Sequence, residues 1–126
     1  MPKRDEHLFE FEAGQITEAA HEEYLYHCQR ETYWKDEYTK AVETVRQTAS
    51  VKHPVTGGMR ADVAVDYGDA YRRMGEAFEK AQLHRAAAGR FDSESQLYGS
   101  QNPAVPYELS AEDVHYFRLS GRPREE

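Results

Sequence analysis

The chain has 126 residues, the length of one domain, and its 16 basic and 23 acidic residues give a net charge of −7. This mild acidity argues against a general binder of nucleic acid or of anionic membranes. No apolar run approaches the roughly 18 residues of a membrane-spanning helix, and the N-terminus lacks the apolar run of a secretory signal. A single cysteine, Cys28, allows no internal disulfide, so a cytoplasmic location is expected.

The apolar composition is unusual. Leucine, isoleucine, valine and phenylalanine make up only 20 of the 126 residues, whereas alanine contributes 15 and tyrosine nine. Alanine and tyrosine suit thin, close contacts between helices better than a thick globular core. The composition therefore predicts a mainly helical protein whose burial is completed by a partner chain, in a homo-oligomer.

The N-terminal half predicts a short extended segment followed by a long helix. Residues 8–11 alternate weakly between apolar and polar, which favours a short strand or an extended arm that Gly14 ends. Thr17 is the predicted N-cap, and the helix is predicted from Glu18 to about Thr48 because that stretch contains no Gly or Pro. Its apolar stripe consists of Tyr24, Leu25, Cys28, Trp34, Tyr38, Val42, Val45 and Ala49.

The segment after this helix favours a β-hairpin. Two runs that alternate with period two, 51–55 and 62–67, flank the turn signal Gly57-Gly58. The alternative is a second helix that begins near Ala61, because Val63, Tyr67, Ala70 and Met74 also fit helical spacing. The favoured order is thus helix, hairpin, helix (α-β-β-α).

The second long helix is predicted from the cap Asp69 to about Ser93–Tyr98. Its apolar stripe follows a heptad, as in a coiled coil, and consists of Ala70, Met74, Ala77, Ala81, His84, Ala88 and Phe91. An antiparallel hairpin in which residue i faces roughly residue 117 − i aligns the two stripes. This register places Val42 opposite Met74 and Gly75, Tyr38 opposite Phe78, Trp34 opposite Leu83 and His84, and Leu25 opposite Phe91.

The C-terminal region is predicted to be a linker that leads to a short helix on an extended arm. The predicted division is a helical hairpin domain, 1–98, followed by residues 99–126. Ser110 is the predicted cap of a helix over 111–119 whose apolar side must dock on the rest of the chain. The order helix, hairpin, helix is similar in topology to prefoldin-type chaperone subunits and to small phage head–tail joining proteins, without a shared motif.

No arrangement typical of a catalytic or metal site is present in the sequence. Glu18 and His21 have ligand spacing but lack carboxylates on the facing helix, and the face formed by Glu23, His27 and Glu31 is interpreted as solvated. Cys28 is interpreted as a buried structural thiol. His84 is interpreted as a core residue, or as one that makes a hydrogen bond fixing the helix register. We therefore expect neither enzymatic activity nor a cofactor.

The aromatic side chains of the first helix are the strongest functional signal, because they cannot all face one partner helix. The predicted function is a small non-enzymatic protein-binding module, an oligomeric assembly adaptor or an inhibitor of a larger machine, of the type that phages encode. The predicted interface residues are Tyr24, Tyr26, Tyr33, Trp34, Val51, Val55, Val63, Val65 and Tyr67.

Two further functions are kept as alternatives. The first is the binding of a small anionic ligand at a subunit interface by Arg72, Arg73 or Arg90. The second, a minor one, is mimicry of DNA by an acidic surface. Its acidic residues would be Glu10, Glu12, Glu18, Glu22 and Glu23.

Overall fold

The structure is a computed structural model that describes residues 7–50 and 61–119, with side chains described for residues 7–48 and 66–119. Along the chain it contains β1 (Phe9–Glu12), α1 (Ala13–Ser50), α2 (Ala61–Gly99), β2 (Pro106–Leu109) and α3 (Ala111–Tyr116). The predicted mainly helical fold is confirmed: two long helices pack against each other, and a short helix follows. Within these residues, no helix combines the length and apolarity needed to cross a membrane.

The first helix begins four residues before its predicted cap. Thr17 lies inside α1, where its hydroxyl donates a hydrogen bond to the carbonyl oxygen of Ala13 at 2.8 Å. The N–H of Glu12 donates instead to the side-chain oxygen of Gln15 at 2.8 Å, which is one half of a capping box. The predicted N-cap at Thr17 is therefore wrong.

The start of α1 is also capped by backbone. The N–H groups of Ala13 and Gly14 donate to the carbonyl oxygens of Val105 and Pro103 at 2.8 and 2.9 Å. These acceptors satisfy first-turn donors that a helix cannot satisfy itself. A Cβ atom at Gly14 would lie only 3.0 Å from the Cβ of Pro103, so glycine permits this close approach.

The second helix begins at Ala61, so the predicted strand over 62–67 is wrong and the helical alternative is confirmed. Tyr67, Ala70 and Met74 have helical spacing, and in the helix Ala70 is fully buried at 0% exposure. The helical pattern therefore prevails over the strand preference of the β-branched valines. The first predicted strand, 51–55, and the Gly57-Gly58 turn lie outside the described residues. The two observed strands are β1, before α1, and β2, after α2.

The chain forms two compact units, each of which contains part of both long helices. The strand unit comprises Met1–Tyr26 and Ala87–Glu126, and the helical unit comprises His27–Ala86. In the strand unit, β1 and β2 pair antiparallel, with Phe9 opposite Leu109. This pairing confirms the strand predicted for the N-terminal segment.

The strand unit has a core of large side chains. Its buried members come from α1, α2, β2 and the C-terminal segment: Ile16, Ala20, Phe91, Leu109, Val114 and Phe117. The last two confirm that the apolar side of the C-terminal helix docks on the rest of the chain. Ser110 caps α3 as predicted, because its hydroxyl accepts a hydrogen bond from the N–H of Asp113 at 3.2 Å. The helix itself ends at Tyr116 rather than near residue 119.

The end of α3 has a left-handed residue that is not glycine. Arg118 has φ 57°, and the N–H groups of Leu119 and Arg118 donate to the carbonyl oxygens of Val114 and His115, both at 3.0 Å. This is a Schellman motif, in which glycine is the usual residue. The Nε atom of Arg118 lies 3.6 Å from a carboxylate oxygen of Glu23, which is 4% exposed. The arginine therefore supplies the counter-charge to a buried carboxylate.

In the helical unit, α2 presents the predicted seam to α1. Ala70, Ala77 and Ala81 are buried at 0, 2 and 6% exposure, and Met74 is half-buried. The ring centroids of Tyr38 and Phe78 lie 6.0 Å apart, which confirms that predicted pair. The small alanines allow the two helices to approach closely.

The predicted register fails away from this pair. Trp34 was predicted to face His84, but the Nδ1 atom of His84 lies 2.8 Å from the Nδ1 atom of His27. In the strand unit, Leu25 was predicted to face Phe91, but it is 46% exposed. Polar residues of α1, such as Glu23 and His27, occupy buried or partly buried positions on its packed face. The predicted stripe was chosen from apolar residues alone, so it includes residues such as Leu25 that do not lie on this face.

Candidate protein-binding site

Two consecutive aromatic residues of α1 form the centre of the site. The rings of Tyr33 and Trp34 meet edge to face, with centroids 5.0 Å apart and an interplanar angle of 84°. Tyr33 is 45% exposed, whereas Trp34 is half-buried. Consecutive residues project about 100° apart around a helix, so Trp34 approaches the seam while Tyr33 projects toward solvent.

Two cations hold these rings. The guanidinium of Arg30 lies 4.5 Å from the ring centroid of Tyr33 and 5.8 Å from that of Trp34. From α2, the Nζ atom of Lys80 lies 5.2 Å from the Trp34 centroid. Each contact is a cation–π interaction, and together they fix the orientation of two aromatic side chains.

A cavity of about 360 Å³ adjoins the aromatic pair within the helical unit. Ala41 and Ala77 are too small to fill the space between the helices there. The lining contains two acidic and two basic side chains, and Lys40 pairs with Glu37 at 3.3 Å. The full lining is Tyr33, Trp34, Glu37, Lys40, Ala41, Thr44, Arg73, Glu76 and Ala77.

The indole nitrogen of Trp34 is a buried donor. Its Nε1 atom has no hydrogen-bond partner within the described parts of the chain. A buried tryptophan N–H usually finds an acceptor, and leaving such a donor unsatisfied costs about 1–3 kcal/mol.

The structure separates the other predicted interface residues from this pair. Tyr24 is half-buried and packs against the core of the strand unit, and Tyr26, also half-buried, belongs to the same unit. Tyr67 is half-buried on α2, with its ring centroid 6.0 Å from that of Tyr71. Residues Val51 and Val55 lie outside the described residues, as do the side chains of Val63 and Val65.

The three arginines of the predicted anion site are also separated. Arg73 lines the cavity. Arg72 is an exposed residue that pairs with Asp69 of its own helix at 3.1 Å. Arg90 belongs to the strand unit. Of the three arginines, Arg73 is therefore the one that lines a cavity together with a tyrosine, Tyr33.

The histidine and acidic residues do not form a metal site in the described parts of the chain. No group of three or more His, Cys, Asp or Glu side chains suited to a metal ion occurs there. The interpretation of the Glu23–His27 face as solvated is wrong, because Glu23 is buried and His27 contacts His84. That contact agrees with the register-fixing hydrogen bond considered for His84. Cys28 is half-buried rather than fully buried.

The strand unit has a smaller cavity of about 240 Å³ with aromatic and acidic walls. Burial, followed by the hydrogen bond that the hydroxyl donates to Glu94 at 2.8 Å, raises the pKa of Tyr116. Burial also raises the pKa of Tyr98, with Tyr107, Glu94 and Asp113 as smaller electrostatic causes. This region therefore disfavours additional negative charge.

Sequence reasoning identified Tyr33 and Trp34 but missed the cations beside them. Arg30 precedes the two aromatic residues by three and four positions, which is the spacing of neighbours on a helix surface. That signal was available in the sequence. Lys80 could be placed only once the register of α2 was known.

Comparison with protein-family models, with curated proteins and with solved structures finds no match for this chain.

Proposed function

We propose that this protein is a non-enzymatic protein-binding module, an assembly adaptor or an inhibitor of a larger machine. The observation that carries the proposal is the Tyr33–Trp34 pair, held by Arg30 at a cavity of about 360 Å³. Trp, Tyr and Arg are the residues most enriched at binding hot spots. Rings that are already held in place lose little side-chain entropy when a partner binds.

The cavity determines what the partner must offer. Its charges are balanced, which favours a mainly apolar side chain flanked by polar groups rather than a strongly charged segment. A partner segment with one apolar anchor flanked by polar groups therefore fits the site.

The experiment compares three forms of the protein as bait: wild type, Tyr33→Ala, and Leu83→Ala. Leu83 is a matched control because it is a helical-unit residue that is more exposed than Tyr33, at 65% against 45%, and does not line the cavity. The expected result is a partner, identified by mass spectrometry, that wild type and Leu83→Ala retain and Tyr33→Ala loses. Retention by all three forms would place the binding site elsewhere.

A small anion bound by Arg73 is the second candidate, because that guanidinium lines the same cavity as Tyr33 and Trp34. A ligand stabilises the folded state in proportion to the logarithm of its concentration over its dissociation constant. Inorganic phosphate should then raise the melting temperature of wild type and leave that of Arg73→Gln unchanged. The DNA-mimic alternative is weakened because Glu23, one of its acidic residues, is buried beside Arg118.

A further inference from the structure

The helical unit has a second surface, which we name the aromatic face. It consists of half-buried or exposed side chains, none of them charged: Tyr38, Val42 and Val45 on α1, and Tyr67, Tyr71, Met74 and Phe78 on α2. The ring contact between Tyr38 and Phe78, at 6.0 Å, joins the two helices across this face. The register set by that contact places Val42 near Met74.

The aromatic face and the cavity occupy different sides of α2. At about 100° per residue, Tyr71 and Phe78 project within roughly 20° of each other, on one side of the buried Ala77. Arg73 and Glu76, which line the cavity, project on the other side of Ala77. A partner bound at the cavity therefore leaves the aromatic face uncovered.

The helical unit buries only small apolar side chains. Among its described side chains, the buried apolar ones are all alanines: Ala41, Ala70, Ala77 and Ala81. Its larger apolar groups stay accessible, with Tyr71 and Phe78 at 55 and 54% exposure. In an ordinary amphipathic pair of helices, such groups would form the core and be shielded from water.

We propose that the aromatic face is covered by the same face of a second copy of this chain, which gives a four-helix arrangement across a two-fold axis. The lack of charge on these side chains indicates what covers the aromatic face. The listed side chains carry no charge, so pairing them with their own copies brings no like charges together at the centre of the face, while Lys35 and Arg46 of α1 lie at its border. A second hairpin also supplies the apolar layer that each helical unit lacks.

The size of the face sets the strength of the dimer. Residues 67–78 span about 17 Å of helix, and two packed helices are about 18 Å wide, so the face measures roughly 300 Å². Patches of this size on monomers are often functional, but a standard stable interface buries about 800 Å² per partner. The dimer is therefore weak and reversible.

Sedimentation equilibrium of the full chain tests the proposal. Wild type should change from 14.6 kDa to twice that mass as its concentration rises through the micromolar range. Phe78→Lys and Tyr71→Lys should each raise the dissociation constant at least about tenfold, because a lysine would be buried against its own copy in the dimer. Leu83→Lys is the matched control, since Leu83 is more exposed than either residue and lies off the aromatic face.

Circular dichroism at low concentration shows whether each variant is folded, and both substituted side chains are more than half exposed. Wild type that stays at 14.6 kDa at every concentration would overturn the proposal. Equal weakening by Leu83→Lys and Phe78→Lys would also overturn it. Loss of the dimer in Tyr33→Ala, with retention in Phe78→Lys, would place self-association at the cavity and contradict the proposal. Partner capture that depends on Tyr33 tests the proposed function separately.

Discussion

The two units of this protein bury side chains of different sizes. The strand unit surrounds Ile16, Phe91 and Phe117 with strands, helices and capped ends, so its largest apolar groups are shielded from water. The helical unit buries alanines and keeps Trp34 and Phe78 accessible. The difference predicts that local stability is greater in the strand unit, whereas the accessible aromatic side chains belong to the helical unit.

The largest expected effect comes from removing a core ring of the strand unit. Phe91 is 4% exposed and stacks on Tyr116 with centroids 4.8 Å apart. Phe91→Ala should lower the free energy of unfolding by about 3–5 kcal/mol in urea denaturation. Phe78→Ala, in the helical unit, should cost less than half as much in dilute protein, because that ring is 54% exposed. Equal costs would remove the contrast between the units.

The buried ion pair should rank next. Arg118→Gly relieves a left-handed conformation that disfavours arginine by about 1–2 kcal/mol, but it leaves the Glu23 carboxylate without this cation. Removing one partner of a buried ion pair costs about 3–5 kcal/mol, so the net loss of stability should be about 2 kcal/mol. Adding Glu23→Gln to Arg118→Gly should recover part of that loss in the same urea titrations. A gain of stability in Arg118→Gly alone would mean that backbone strain outweighs the ion pair.

The third-largest loss of stability should come from enlarging a side chain where the two helices approach closely. Ala81→Leu should overpack the seam and cost about 1–3 kcal/mol in thermal or urea unfolding, because Ala81 is 6% exposed. The matched control is Ala86→Leu on the same helix. Ala86 is exposed, and leucine ranks close to alanine in helix propensity, so little change is expected there. Equal tolerance at both positions would contradict the seam.

Alkaline pH should give the smallest effect. Burial and the bond to Glu94 raise the pKa of Tyr116 above its ordinary value of 10.0, so the folded state favours the protonated phenol. This contribution to stability is complete below about pH 10 and is lost as the pH rises through the folded-state pKa. Tyr116→Phe should therefore flatten the fall of the melting temperature above pH 10.

Periodicity made much of the fold predictable. Heptad spacing located the buried alanines of α2 and the Tyr38–Phe78 contact, and Ser110 was recognisable as a cap from its own side-chain chemistry. The start of α1 was not predictable, because its acceptors come from Val105 and Pro103, about ninety residues away in sequence. The burial of Glu23 also escaped prediction, because its counter-charge Arg118 is distant in sequence.

The candidate site was predictable in its centre but not in its surroundings. Tyr33 and Trp34 stood out by residue type, whereas the cavity beside them depends on two alanines from different helices, Ala41 and Ala77. The hairpin prediction over 62–67 failed because alternation in a short segment competes with helical spacing, and the longer helical pattern prevailed.

Native-state hydrogen exchange in dilute protein tests the division between the units most directly. Amides of residues 13–26 and 87–99, which are the helix segments of the strand unit, should exchange only through global unfolding. Amides of residues 27–48 and 66–86 in the helical unit should exchange through local unfolding, whose free energy is lower than that of global unfolding. Raising the protein concentration should protect the second set selectively, because dimer formation covers the aromatic face. Equal protection of both sets in dilute protein would contradict the account.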